Sequence, residues 1–183
     1  MIYPNMEVFA RAMFGEAIRH LEDAHILHQA GRLPGAITSS MKSAELGFKA
    51  VLILEGTFGW WENVITSHSP VSDAGGHPVL NQVVSRFSPA VVSLVKEMEL
   101  LSPSKIGKKA FGSQNQNRDE RNPEYPFVLF DQVNASWGTP TSSFVDPRVS
   151  HNYCEAARDL LGEVVLLYAS ASQWGLVLPT ALP

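Results

Sequence analysis

His28-Gln29-Ala30-Gly31-Arg32-Leu33-Pro34-Gly35-Ala36 is the stretch on which the fold turns. Upstream of it, from about Asn5 to Gly31, the residues Phe9, Met13, Ala17, Leu21, Ala24 and Leu27 recur at three- and four-residue steps and trace one apolar stripe. Downstream, from about Pro34 to Glu55, Ile37, Met41, Ala44, Phe48, Val51 and Leu52 do the same. Gly31 suits the left-handed cap that ends a helix, and Pro34 suits a first turn, where no backbone N–H is required. A link as short as Gly31-Arg32-Leu33 folds the two helices back on each other. Each is roughly 30 Å long at 1.5 Å per residue, and paired long helices with apolar stripes imply a bundle.

Working outward, a third helical region is expected from about Pro78 to Leu101, with Leu80, Val83, Val84, Phe87, Val91, Leu94, Val95 and Met98 facing inward. Pro89 interrupts it, and Ser88-Pro89 reads either as a kink or as the cap of a new helix. The last helix begins sharply, with Asp146 as N-cap and Pro147 in its first turn, and runs to about Ser172. Between these lies a stretch rich in Ser, Gly, Asn, Gln and Pro, too long for a plain connector. Within it Phe127-Val128-Leu129-Phe130 reads as a short apolar anchor. The expectation is an all-α, antiparallel up-and-down bundle of four to five helices. One domain would span residues 1–174 with an irregular insertion at 102–146. A tail, 175–183, would lie on the surface or reach a neighbour. No internal repeat is present.

The chain has 183 residues, 45% of them apolar, a net charge of −4 and one cysteine, Cys154. The length fits one domain, and the charged fraction of 17% excludes a highly charged disordered chain. A single cysteine excludes an internal disulfide framework and any multi-cysteine zinc site. No run approaches the ~18 apolar residues of a membrane span, and Met1-Ile2-Tyr3-Pro4-Asn5 does not open a secretory signal, so a cytoplasmic protein is expected. The charge is uneven. Ser102 to Arg121 carries a net +3 through Lys105, Lys108, Lys109, Arg118 and Arg121, which leaves −7 on the rest. A basic segment on an acidic body suits a phosphate or acidic partner, although short solvated basic loops are common.

A family resemblance rests on Ala17-Ile18-Arg19-His20-Leu21-Glu22-Asp23-Ala24, on Ala30-Gly31-Arg32-Leu33-Pro34-Gly35-Ala36, and on Ser43-Ala44-Glu45-Leu46-Gly47-Phe48-Lys49-Ala50-Val51-Leu52. Gly76-His77-Pro78-Val79-Leu80 and Arg121-Asn122-Pro123-Glu124-Tyr125-Pro126 add to it. These segments resemble the HEPN domain, a family of four- to five-helix bundles. The resemblance implies one of two roles. Many HEPN proteins are metal-independent endoribonucleases, toxins paired with antitoxins, whose motif is Arg, four to six residues, then His, often closing with x-Tyr. Others lack the motif and serve as nucleotide- or nucleic-acid-associated, antitoxin or scaffolding modules. Homodimers are common, with the motif at the dimer cleft.

The nearest counterpart of that motif is Arg148-Val149-Ser150-His151-Asn152-Tyr153, with only two residues between Arg and His. At this spacing Arg148 and His151 share a helix face, where one can hold a phosphate and the other move a proton, with Tyr153 nearby. The shortened spacing argues against robust catalysis. Lys105, Lys108, Lys109, Arg118, Arg121 and Tyr125 are candidate binding residues, although Arg121 and Tyr125 suit packing of the insertion against the bundle better than nucleic-acid contact. Glu45 and Lys49, four apart on the second helix, read either as a polar anchor in the bundle or as an exposed pair. Glu22-x-x-His25 with His20 and His28 lacks a second copy, so no metal is expected. Trp60-Trp61 suits closure of the bundle end better than base stacking. Cys154 reads as a structural thiol. Neither G-x-x-x-x-G-K-[ST] nor G-x-G-x-x-G is present, and no cofactor is expected.

The reading that emerges is a dimeric HEPN-like module. It would bind RNA, a nucleotide or an antitoxin-like protein partner, away from any membrane and without robust catalysis. The alternatives are a ribonuclease using Arg148 and His151, and a purely structural dimeric scaffold.

Overall fold

The computed structural model describes residues 6–55, 67–101, 127–130, 135–138 and 144–183. Seven helices and one hairpin are described within these: α1 Met6–Gln29, α2 Leu33–Leu54, α3 Pro70–Ala74, α4 Pro78–Val84, α5 Pro89–Glu99, β1 Phe127–Phe130, β2 Ala135–Gly138, α6 Pro147–Leu167 and α7 Ala169–Gln173. The fold is all-α. Four rods, α1, α2, α5 and α6, form the bundle, and α2 packs on α1, α5 and α6.

Side-chain pairs fix the directions. Gly31, at φ 71°, closes the α1–α2 turn in the left-handed region, and the Arg32 N–H reaches back to the Leu27 carbonyl at 2.8 Å. Ser40 meets Cys154 near the start of α2, and Gly47 meets Leu161 further along, so α2 and α6 run parallel. The Tyr153 hydroxyl lies 3.2 Å from Glu97, whereas Ser88 N–H donates to Glu163 at 2.8 Å, so α5 runs against α6. The rods therefore alternate up, down, up, down.

The third rod is shorter than the periodicity suggests. The run from Pro78 divides into α4 and α5, and the Ser88 hydroxyl caps α5 by accepting from the Val91 N–H at 3.3 Å. Pro89 thus starts a helix and does not kink one, because its ring and missing N–H are tolerated in a first turn. Asp146 caps α6 as expected, accepting from the Arg148 N–H at 2.9 Å. At its other end α6 stops at Leu167, five residues before the expected Ser172, because Tyr168 is extended (φ −118°, ψ 107°). Phe127–Phe130 is β1, paired antiparallel with β2 in the register Phe127↔Gly138 to Phe130↔Ala135.

The core is built on Phe14, Leu21, Ile37, Phe48, Leu52, Leu80, Met98, Leu160 and Leu161, all essentially inaccessible. Each contributes about 1.5–3 kcal/mol by leaving water. The stripe of α1 is shifted from its expected course: Ala10, Phe14, Ile18 and Leu21 point inward, while Phe9 is 41% exposed. Steps of four drift round the cylinder by about 40° each, so a stripe drawn through Phe9 and Met13 misses the core at the helix start. The C-terminal residues pack back on the bundle. Trp174 packs on Phe14 with ring centroids 5.6 Å apart, and Leu182 seats beside Ala24, Ala36 and Cys154. The Leu182 N–H donates to Glu155 at 2.9 Å, and Arg158 Nε donates to the Pro179 carbonyl at 3.2 Å.

Gly47 sets the α2–α6 approach, since a Cβ there would overlap a methyl of the fully buried Leu161 and touch Ala17. Gly47→Val is expected to destabilise the fold by about 1–3 kcal/mol through overpacking, read as a lower urea midpoint with unchanged slope.

Candidate functional site

Polar groups gather where α1 ends and α6 begins. α1 ends at Gln29, which brings His25 and His28 to this end, and the Asp146-Pro147 start of α6 places Ser150, His151 and Cys154 opposite them. His28 Nδ1 lies 3.1 Å from Ser150 Oγ, and the His28 and His151 rings are 5.8 Å apart, tilted by 58°. Beneath them His25 is buried, and its Nε2 has no hydrogen-bond partner among the described residues. Ser150 and Ser40 both neighbour the Cys154 thiol, and Ser40 Oγ lies 3.4 Å from Cys154 Sγ and 2.9 Å from the Ala36 carbonyl. A polar thread thus runs from the half-buried imidazoles inward to α2.

Burial sets the titration of this cluster. It holds His25 and His28 below the ordinary imidazole range, with the neighbouring His151 adding to the effect on His28. It also pushes the Cys154 thiol up, against the hydroxyls of Ser40 and Ser150. A buried thiol held protonated is a packing group and not a nucleophile.

The three residues of the Arg-His-Tyr motif take separate partners. The Arg148 side chain is 87% exposed and pairs with its own N-cap, Asp146, at 3.0 Å. That guanidinium holds the Asp146 carboxyl below the usual carboxylate range. His151 faces His28. Tyr153 turns to the opposite side of α6, toward Glu97, and burial and that carboxylate raise its phenol above the ordinary value. Lys105, Lys108, Lys109, Arg118, Arg121 and Tyr125 lie outside the described residues, as do Trp60 and Trp61. Among the described residues no group of three or more His, Cys, Asp or Glu is placed to hold a metal. None of their helices is long and apolar enough to cross a membrane.

Glu45 and Lys49 form an ion pair whose side chains are 15% and 6% exposed, so the pair is an internal anchor and not a surface ornament. The second oxygen of Glu45 lies 3.3 Å from His68 Nδ1. Two further carboxylates carry no local signal in the sequence. Glu97 meets Tyr153, and the buried Glu99 accepts from the Val71 N–H at 2.9 Å and the Ser72 N–H at 2.7 Å, tying α3 to α5. Burial raises the Glu99 carboxyl, and those bonds offset part of the rise. A separate groove of about 370 Å³ runs along α6, lined by Val91, Arg158, Asp159, Gly162, Leu166 and Leu178.

Lys49→Met removes the buried partner of Glu45, leaves it only the exposed His68, and is expected to cost about 3 kcal/mol. The double variant Glu45→Gln with Lys49→Met removes both charges and is expected to recover most of that loss, as read in a double-mutant cycle of urea midpoints. Set against known proteins, the chain matches no family model, no curated protein and no solved structure.

Proposed function

We propose that the chain is a HEPN-like helical module that binds RNA or nucleotide phosphate at the start of α6, as a homodimer and without robust catalysis. One observation carries this reading. Arg148 stands exposed in the first turn of a 21-residue helix, and His151 lies one turn further on against a second imidazole, His28. A helix start favours anions, and an exposed Arg–Asp pair is cheap to exchange for a phosphate. The up-and-down bundle, the Gly31 hairpin and the Asp146-Pro147 start are compatible with the HEPN resemblance. The basic run with Lys105, Lys108 and Lys109 supplies a second set of phosphate contacts, and an antitoxin-like protein is a further partner for the same face.

The dispersal of Arg148, His151 and Tyr153 onto separate partners favours binding over turnover. A second reading, metal-independent RNA cleavage, draws on the two facing imidazoles. One could act as base and the other as acid at a scissile phosphate held by Arg148. Under a third reading the fold is a dimeric scaffold without a ligand.

A salt series of fluorescence anisotropy with single-stranded RNA in EDTA separates the three. Arg148→Ala is expected to weaken binding on the order of tenfold and to reduce the salt slope by about one. Unchanged affinity and slope would remove this face from the account, and no binding by the parent protein would leave the scaffold. RNA cleavage that His151→Ala abolishes would establish the ribonuclease instead.

A further inference from the structure

We propose that the α1–α6 seam is an acid-operated latch: protonation of His28 and His25 in mildly acidic solution parts the start of α6 and the C-terminal tail from α1. The geometry leaves these imidazoles no good way to be charged. The His28 and His151 rings face each other at 5.8 Å, so two imidazolium ions there repel. His25 is buried with an unpartnered Nε2, so a proton added there has no acceptor.

The surrounding charges do not compensate. Among the described residues, the groups acting on His25 are Glu155, Arg158 and His151 from α6 and His28 from its own helix, and α2 adds none. His28 feels His151. Glu155 is the single carboxylate in this set, and it is engaged by the Leu182 N–H at 2.9 Å and by Arg158 at 3.9 Å. A charged His25 therefore competes for the group that holds the tail. Leu182 in turn shares one small apolar cluster with Ala24, Ala36 and Cys154, so release of the tail loosens the packing in which the thiol sits.

Folding opposes protonation of His25 and His28, whose values lie below the ordinary 6.5. Their contribution to the closed seam is complete above that pH and is lost as pH falls below it. Neutral imidazoles pack, and charged ones separate.

Cys154 is the chain's one cysteine and reports the opening directly. Its rate of modification by 4,4′-dithiodipyridine, which works in acid, is followed from pH 7.5 to 5 and divided by the rate for the urea-unfolded chain at each pH. The normalised rate is expected to rise on the order of tenfold per pH unit below about 6.5 for each proton taken up on opening, while helical circular dichroism is retained. The double variant His28→Asn with His151→Asn is expected to flatten that rise. A flat profile in the parent protein, an unchanged rise in the variant, or loss of helicity in step with thiol exposure would each overturn the latch. If the double variant is not helical at pH 7.5, His151→Gln decides, because it spares the His28–Ser150 bond: a reduced rise supports the latch and an unchanged one refutes it.

Discussion

Helix α2 has no dry side to choose, because it is dry nearly all round. Every residue from Gly47 to Ile53 is buried. A helix enclosed in this way needs neighbours on several sides, and α1, α5 and α6 supply them. α6 approaches over Gly47, where the absence of a side chain lets Leu161 come down onto the helix. Enclosure also decides what happens to the polar residues that α2 carries. Lys49 cannot reach water, so it needs Glu45 one turn away, and Ser40 returns its hydroxyl to the Ala36 carbonyl. The bundle and its buried ion pair follow from one fact, that the second helix is its axis.

That fact was only partly legible in the sequence. The hairpin was, because Gly31 and Pro34 mark the end of one helix and the start of the next. The Asp146-Pro147 start was legible for the same reason: capping is local chemistry and needs no neighbour. The full enclosure of α2 was not. A search for large apolar residues finds Ile37, Phe48 and Val51, but the opposite side is closed by Gly47, Ala50 and a paired Lys49, whose burial depends on partners distant in the chain. The course of α1 was misplaced at its start by the same reliance on large side chains, which favoured Phe9 over Ala10. The early end of α6 depends on Tyr168 turning extended, and no Gly or Pro announces it. The tail's return onto α6 depends on Glu155 and Arg158, whose roles are set only in three dimensions.

The candidate site was legible as residue types and not as an arrangement. Arg148, His151 and Tyr153 stand within six residues, and proximity in sequence suggested proximity of function. On a helix, however, His151 and Tyr153 lie about 200° apart, so the same short stretch faces both the α1 seam and α5. His28 was visible only as part of an incomplete metal pattern. Its real neighbour, Ser150, lies 122 positions away. The two carboxylates of α5 had no local signal, since a Glu beside an apolar stripe usually faces water.

The distribution of polar groups along the α1–α6 seam gives the bundle two unlike ends. Near the middle the contact is small and apolar, with Ala17, Gly47 and Leu161 in direct van der Waals reach, and such packing is insensitive to pH and salt. Toward the start of α6 the same helices meet through Ser150 and the imidazoles of His28 and His151. Local stability follows apolar contact, so an end held by polar side chains is where the proposed opening would begin. In that opening Gly47 and Leu161 would be the fixed point, and the enclosed second half of α2 would keep the rest of the bundle together. The phosphate binding and the proton uptake proposed above would both fall at that end, because the polar side chains they call on, Arg148, His151 and His28, stand there.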